Sequence, residues 1–558
     1  MKRLLSLVVS LSLAFGGIAE VSAATMAPVG DTVRRGLPEL TPAAQDALSR
    51  ALVTGTVDDA EYALERALTL FDRSPVAHRF GEVAAPAPRD ATALLRDLAL
   101  RIDQLAPDDR AVANALLARP TDDKPNDPVN IKYGGAKAKR SCTPNLCVHY
   151  VTKGRHAVDP TDSDDNDRPD YVDTVVDELQ GRVWNRVIGQ LGFREPKRDL
   201  RSANNGGGGK TDFYLGDLGA ENPPIYGYCA SDDPHLRFNS DYRFSDMSAY
   251  CVFDNDYRIA QFPHQTPIKN LRVTAAHEVF HAVQFAYDIL EDLWILENTA
   301  VWMEDEVYGG INDNLQYLAN SSLKHPVVPL DFGDSLFQYG NYIFWKFATE
   351  KFGTRLVKQV WNKADGSPGA PDLYSLGALR TVVENSAPFG RTFVNFGIAN
   401  FTPELHYEKG ALYESSVGGA PVRRRLTLGQ SNRNTALQRQ RLDHLTNAYF
   451  ILKPGRGVKR GAKLKVEVNG PSSRTKPKAT LIAFDGSRTV AKKFVDLDRE
   501  GIGKARVPFF GTTRTLLMLS NASTRFSQCF RYPTSPFSCA GLPVDQGKTF
   551  KFKARLIQ

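Results

Sequence analysis

The sequence lacks three features that mark large classes of protein. Beyond its N-terminal run, no stretch approaches the about 20 uninterrupted apolar residues that span a membrane, so we expect no membrane span. The formal net charge is only +7, and we find no dense Lys/Arg stripe, which argues against nucleic-acid binding. No Gly-x-Ser-x-Gly elbow is present, so a serine hydrolase is not supported.

Cysteine is scarce, but its count is even. The six cysteines fall into three close pairs, none of them Cys-x-x-Cys, and no His lies at zinc-finger spacing. An even count is typical of disulfides formed in an oxidising compartment, with free structural thiols as the alternative. Nearest-neighbour pairing then predicts the disulfides Cys142–Cys147, Cys229–Cys251 and Cys529–Cys539.

The N-terminus has the pattern of an export signal. Lys2 and Arg3 precede an apolar run over residues 4–18, and Val21-Ser22-Ala23 offers the small residues that a signal peptidase reads. We therefore predict a signal peptide at residues 1–23. The mature protein is expected to be secreted, either to a periplasm or outside the cell.

A chain of 558 residues is too long for one compact domain. Residues 24–128 have helical leucine spacing and end in a polar, proline-containing linker; they are expected to be either a pro-region or a helical packing or recognition domain. Residues 129–425 mix strand and helix patterns, whereas residues 426–558 contain short β-type runs that predict a β-sandwich. The expected class is α+β.

One segment has the spacing of a zinc site. His277 and His281 lie four residues apart, so on a helix both imidazoles face the same side and can bind one ion. The surrounding apolar residues at Asn270–Leu290 predict that helix independently. Glu278 follows the first His, where it can act as general base for a zinc-activated water.

A third ligand is expected on the next helical stretch. The segment Leu296-Glu297-Asn298-Thr299-Ala300 resembles the Asn-Glu-Gly-x-Ala signature of gluzincin metallopeptidases, in which the Glu completes a His-His-Glu site. The resemblance implies a zincin-like domain with Glu297 as ligand, although Asn298 replaces the signature Gly. Glu304, two helical turns further on, is the alternative ligand or a partner of one.

Gluzincins also use a Tyr or His to stabilise the oxyanion, and two tyrosines occupy a comparable place here. Tyr339 and Tyr342 precede an apolar, helix-like run, and either could serve; the alternative is that both are core or rim aromatics. Residues 135–350 as a whole resemble a poorly characterised group of secreted bacterial metallopeptidases. That resemblance implies a fold and a metal, and little about substrate.

An acidic loop before the central helices has the spacing of a calcium loop. Oxygen side chains occupy positions 1, 3, 5, 9 and 12 of a twelve-residue segment resembling EF-hand and dockerin loops, with Asp167 at the usual Gly position. A solvated acidic turn is the alternative. The candidate calcium residues are Asp162, Asp164, Asn166, Arg168, Asp170 and Asp173.

These observations together predict a secreted zinc metallopeptidase, with Glu278 as general base and a protein or peptide as substrate. The alternative is a non-enzymatic exported protein that keeps a peptidase-like scaffold and uses the β-sandwich for adhesion or glycan binding. The presence of Glu278 beside both His residues favours the enzyme, since a decayed enzyme usually loses its base.

Overall fold

The structure is a computed structural model that describes residues 46–71, 89, 91–122, 131–221, 223–236, 244–531 and 535–558. Helices and strands are mixed within these ranges, which confirms the α+β class. The predicted signal peptide and most of the predicted linker lie outside the described residues.

The described part of the N-terminal region is helical, as its leucine spacing predicted. Asp46 and Asp58 cap the first two helices, because their carboxylates accept hydrogen bonds from backbone N–H groups of the first turn. Leu95 and Leu98 of the third helix are fully buried. The helices are α1 (Ala47–Val53), α2 (Asp59–Leu68), α3 (Ala91–Arg101) and α4 (Pro107–Leu116).

A five-stranded sheet of order β1-β2-β3-β5-β4 forms the centre of the next region. Strands β2, β3 and β5 are parallel, and β1 and β4 are antiparallel edge strands. This sheet supplies the strands expected within residues 129–425. The five strands are β1 (Lys139–Cys142), β2 (Leu146–Tyr150), β3 (Thr211–Gly216), β4 (Gly227–Ala230) and β5 (Tyr250–Asp254).

The helices of this region include the predicted motif helix. That helix ends at Tyr287 rather than Leu290, because Asp288 has extended backbone and its carboxylate accepts a hydrogen bond from the Leu290 N–H. The helices are α5 (Asp170–Val176, continued as a π-helix over Asp177–Gln190), α6 (Pro267–Tyr287), α7 (Leu293–Tyr308), α8 (Phe337–Gly340), α9 (Tyr342–Phe352), α10 (Arg355–Trp361), α11 (Ser375–Glu384), α12 (Phe389–Phe401) and α13 (Gly410–Val417).

The C-terminal region contains two facing β-sheets. One has the order β11-β10-β13-β8-β6 and the other β12-β9-β16-β7, and a short ribbon pairs β14 with β15. The strands are β6 (Val422–Leu428), β7 (Gln438–Leu442), β8 (Thr446–Pro454), β9 (Lys463–Asn469), β10 (Pro477–Asp485), β11 (Arg488–Phe494), β12 (Ile502–Pro508), β13 (Arg514–Asn521), β14 (Phe526–Ser527), β15 (Leu542–Pro543) and β16 (Lys548–Ile557).

Two large apolar cores and a smaller contact between them hold the described residues together. One continuous core joins α2, α3 and α4 to the central sheet and its helices, and the two C-terminal sheets enclose a core of their own. Val394 and Ile398 of α12 pack against the outer face of the larger sheet, next to Tyr449 and Met518. The N-terminal helices are thus packed into the body that carries the histidines.

The three nearest-neighbour disulfides are all present, which confirms the pairing predicted from the sequence. They fit a protein that folds in an oxidising compartment. Among the described helices, none is both long enough and apolar enough to cross a membrane.

Candidate metal centre

The two motif histidines lie one turn apart on α6, as the sequence predicted. Pro267 occupies the first turn of this helix, where its missing N–H costs nothing, and nearly every residue from Asn270 onward is buried. His277 is 0% and His281 1% exposed. Two imidazoles this deeply buried need polar partners, and those partners define the site.

Glu297 of α7 meets both imidazoles at one point. Its Oε2 lies 3.3 Å from His277 Nε2 and 3.5 Å from His281 Nε2. Ligand atoms arranged tetrahedrally at about 2.0–2.1 Å around zinc are separated from one another by about 3.3–3.4 Å. Both distances to Glu297 match this spacing, and the three ligand atoms lie within 4.8 Å of one another, so the residues present suit a metal ion with one position left for a further ligand.

The other ring nitrogens face acceptors that fix the tautomers. His277 Nδ1 lies 2.8 Å from Glu304 Oε1, and His281 Nδ1 lies 2.7 Å from Gln284 Oε1. The Gln284 amide is oriented by donating to Leu296 O and to Thr299 Oγ1, at 2.8 and 2.9 Å. Both Nδ1 atoms therefore carry hydrogen, which directs each Nε2 towards Glu297 as metal-binding His residues require.

Charge at this point is balanced by the histidines themselves. Burial lowers the pKa of His277, but hydrogen bonds with Glu297 and Glu304 outweigh that effect and raise the pKa to about 9. Burial would raise the pKa of Glu297, but His281 and His277 lower it to about 2. The two glutamates thus stabilise positive charge at His277. Within the described residues, the buried His281 Nε2 makes no hydrogen bond beyond its 3.5 Å contact with Glu297, so its lone pair can bind a metal ion.

Glu278 follows His277 on α6 and is 2% exposed, and its charge is close enough to raise the pKa of His277. A residue from the N-terminal region binds it. Its Oε2 accepts a hydrogen bond from Thr92 Oγ1 at 2.9 Å, and the same hydroxyl accepts one from the Cys229 N–H of β4 at 2.9 Å. Gly227 lets β4 run this close to α6, since an added Cβ would lie 2.7 Å from Thr274 Cγ2. Sequence reasoning missed Thr92, because no local pattern connects residues 186 positions apart.

A second N-terminal residue extends the polar network around Glu304. Arg89 is 5% exposed, and its guanidinium contacts Glu304 Oε1 and Asp313 Oδ2, each at 3.1 Å. Glu304 thus lies between Arg89 and His277 Nδ1, away from the Nε2 atoms. Of the two Glu residues proposed as third ligand, the geometry favours Glu297 and makes Glu304 a partner of His277.

The two candidate oxyanion tyrosines lie in different surroundings. Tyr339 is buried, with its ring centroid 6.4 Å from that of His277 and 5.2 Å from that of Tyr317. Tyr342 is also buried, and in the described part of the chain its hydroxyl has no hydrogen-bond partner. The structure therefore brings Tyr339 to the histidines, and the roles of both tyrosines stay predictions.

The acidic loop brings together part of its predicted ligand set. Carboxylate oxygens of Asp162, Asp164 and Asp170 lie within 4.8 Å of one another. Asp173 instead accepts hydrogen bonds from Arg168 and from Asn166 Nδ2. Position 6 adopts the left-handed turn of such loops, with φ 66° at Asp167. Calcium binding stays a prediction.

A further group of potential metal ligands is closed by other contacts. Cys147, His149 and Asp212 lie together, but Cys147 belongs to a disulfide. Asp212 bonds His149 Nε2 at 2.8 Å and Arg119 Nη1 at 2.6 Å, and Arg119 also contacts Asp199 and Asp232. The disulfide and the contacts of Asp212 with His149 and Arg119 account for this cluster without a metal ion.

Comparison with known proteins adds little. No protein-family model matches the chain, and no curated protein matches it. Among solved structures, PliG of Aeromonas hydrophila, a periplasmic inhibitor of g-type lysozyme, aligns with 24% of this chain and 96% of its own. The sequence identity is 11% and the TM-score 0.15, a likeness too weak to support any conclusion.

Proposed function

We propose that this protein is a zinc-dependent metallopeptidase of the gluzincin type that acts outside the cytoplasm. The observation that carries the proposal is that Glu297 Oε2 lies at tetrahedral ligand spacing from both His277 Nε2 and His281 Nε2, with Glu278 next to His277 on the same helix. Two imidazoles and one carboxylate are the ligand set of many catalytic zinc sites. The order of α6 and α7 and the edge strand β4 beside α6 support a zincin-like domain.

Each residue of the site then has a distinct task. When bound, zinc lowers the pKa of water and polarises a carbonyl group. Glu278 would accept the proton of the attacking water and pass it to the leaving amine. Glu304 and Gln284 hold the imidazoles in place, and Tyr339 is the better placed of the two tyrosines to steady an oxyanion.

The described chain has the features of a latent form. Helix α3 packs against the free edge of β4, the edge where an extended peptide could add as a further strand. The Thr92 hydroxyl accepts a hydrogen bond from the Cys229 N–H of that edge and donates one to the carboxylate of Glu278, so both groups are occupied. Of the two roles expected for residues 24–128, we therefore propose that of an inhibitory pro-region and not that of a packing or recognition domain.

The decisive experiment compares wild type with Glu278→Gln after proteolysis that degrades residues 24–128, because cutting the chain behind them would leave α3 packed against the site. Zinc content and casein hydrolysis are measured on the same samples. We expect one zinc per chain in both proteins and hydrolysis in wild type only.

A matched control is Glu384→Gln, which removes a half-exposed carboxylate at the end of α11 and should keep full activity. Failure to bind zinc, even on reconstitution, would refute the proposal. Zinc binding without hydrolysis in any sample would leave the non-enzymatic binding protein as the better description.

A further inference from the structure

The positive charge of the chain is concentrated at its C-terminal end. Residues 422–558 contain 28 lysines and arginines against 7 aspartates and glutamates, a formal charge of +21. The whole chain carries +7, so residues 1–421 carry −14. The low net charge of the whole chain therefore conceals a strongly basic C-terminal region, and the location of these charges needs a physical reason.

Many of these charges lie on one face of the four-stranded sheet β12-β9-β16-β7. Alternate residues of its strands are buried in the sandwich core, for example Leu464 and Val466 of β9. The other set points outward. A single carboxylate, Glu467, lies among the outward-facing cations Arg439, Arg441, Lys463, Lys465, Lys504, Arg506, Lys551, Lys553 and Arg555.

The strand register places these cations in rows. Lys465 pairs with Arg506 on one side and with Arg555 on the other, so three cations lie side by side across three strands. In the next row, Lys504 and Lys553 flank Glu467, whose carboxylate forms an ion pair with Lys465 and leaves the other cations without a carboxylate on this face. Neighbouring strands are about 4.8 Å apart and alternate residues about 6.8 Å apart. Like charges directly opposite one another destabilise a sheet, and a bound polyanion would relieve that repulsion.

Protection against aggregation does not account for this face. Lysines on edge strands prevent pairing with other sheets, which would explain charges on β12 and β7. Strands β9 and β16 are interior to the sheet, yet they carry Lys465, Lys553 and Arg555 on the same face. The charges follow the face of the sheet and not its edges.

The chemistry of the face narrows the kind of polyanion. It contains no aromatic side chain on which single-stranded nucleic acid could stack. A broad sheet face does not enter the major groove, about 12 Å wide, in which duplex DNA is read. The apolar residues in outward register, Ile502 and Ile557, lie at the ends of their strands, so the centre offers nothing to insert into a bilayer.

We propose that the outer face of the β12-β9-β16-β7 sheet binds an acidic polysaccharide, whose regularly spaced anionic groups lie across its rows of lysine and arginine. The occupant is a linear polymer carrying carboxylate or sulfate groups, held mainly by charge and therefore released by salt. This proposal does not depend on the metal centre. A sheet of this kind would hold the protein on an anionic matrix.

The test uses the full chain with the variant K504Q/R506Q/K553Q/R555Q. These side chains point away from the core, so the variant should keep the wild-type thermal unfolding temperature. The matched control, R423Q/R424Q/R425Q/K493Q, removes the same charge from β6 and β11, the edges of the other sheet. Binding of alginate is measured by titration at low and high salt, with uncharged dextran as a reference.

We expect wild type and control to bind alginate alike at low salt, and the sheet-face variant to bind about tenfold or more weakly. An equal loss of alginate binding in both variants would show a non-specific charge effect and contradict a binding site on this sheet face. Absence of alginate binding in wild type would overturn the proposal. Tighter binding of duplex DNA or of phosphatidylglycerol vesicles through the same cations would overturn the assignment to a polysaccharide.

Discussion

Gln284 holds the imidazole of His281 in the tautomer that leaves Nε2 free to bind a metal ion. Residues in this position typically change metal affinity by about 10–100-fold when they are removed. We therefore expect Gln284→Ala to weaken zinc binding by about that factor, as measured by competition with a chromophoric chelator.

The control for this prediction is Gln438→Ala, which removes a buried glutamine of the β-sandwich. It should leave zinc affinity unchanged even if it lowers stability. Equal zinc affinity in Gln284→Ala and wild type would show that packing alone orients His281.

Asp288 makes stability depend on pH. Burial is the main cause that raises its pKa from 3.8 to about 7, against hydrogen bonds that lower it. Below about pH 4 this carboxyl is protonated in both the folded and the unfolded protein. As the pH rises from about 4 to about 7, the unfolded protein loses the proton first, so the stability contributed by the bound proton is lost.

Asp288→Asn removes that ionisation. We expect the unfolding free energy of the variant, relative to wild type, to increase by about 2–4 kcal/mol between pH 4 and pH 8. Urea unfolding at both pH values measures it. A difference that is independent of pH would mean that Asp288 stays charged in the folded protein.

At the scale of the element, α3 is the part of the N-terminal region that contacts the base. A hydrogen bond to a carboxylate contributes about 1.5–3 kcal/mol, and about 1.4 kcal/mol changes an equilibrium tenfold. We expect Thr92→Val to weaken the packing of α3 against β4 and Glu278. The peptidase activity of the uncleaved chain should then rise by about tenfold or more.

Thr381→Val, on the exposed side of α11, is the matched control and should leave activity unchanged. A loss of activity in Thr92→Val would instead assign Thr92 to positioning Glu278, and α3 would then belong to the working enzyme.

The loop before α5 is a second element with a testable ligand. If calcium binds there, it should raise the thermal unfolding temperature of wild type, because a ligand stabilises the state that binds it. D162N/D164N should abolish that rise, whereas D108N/D109N, an exposed pair on α4, should keep it. An identical response to calcium in all three proteins would show that the loop is a solvated acidic turn and does not bind calcium.

Element-level features were predictable where the pattern was local. The apolar spacing around His277 predicted α6, and short β-type runs predicted the C-terminal sheets, because each signal lies within a few residues. The end of α6 was missed, because Asp288 stops the helix through its own side chain. Short cysteine separations likewise predicted the disulfides.

At the scale of the whole molecule, the contacts that close the site were not predictable. Arg89 and Thr92 reach Glu304 and Glu278 only after the chain has folded, and single-sequence patterns do not report such pairs. The charge of the sandwich was visible in the sequence, but averaging over the whole chain concealed it. Counting charge by region would have revealed it.

The shared core predicts how the molecule responds to cleavage. A protease site inserted at residues 123–130 would separate the N-terminal helices covalently, yet α3 and α4 remain packed in the central core and Arg119 keeps its three carboxylate contacts. We expect the two fragments to co-elute in size-exclusion chromatography. Separate elution would mean that this interface is weak.

The burial of the histidines and Glu297 has a consequence for the kinetics of metal loss. Each is at most 1% exposed, so a chelator can reach an ion held between them only when the covering helices move away. The rate of zinc removal should then level off as the chelator concentration rises, because opening becomes the slow step. The plateau would measure how often this protein uncovers its own centre.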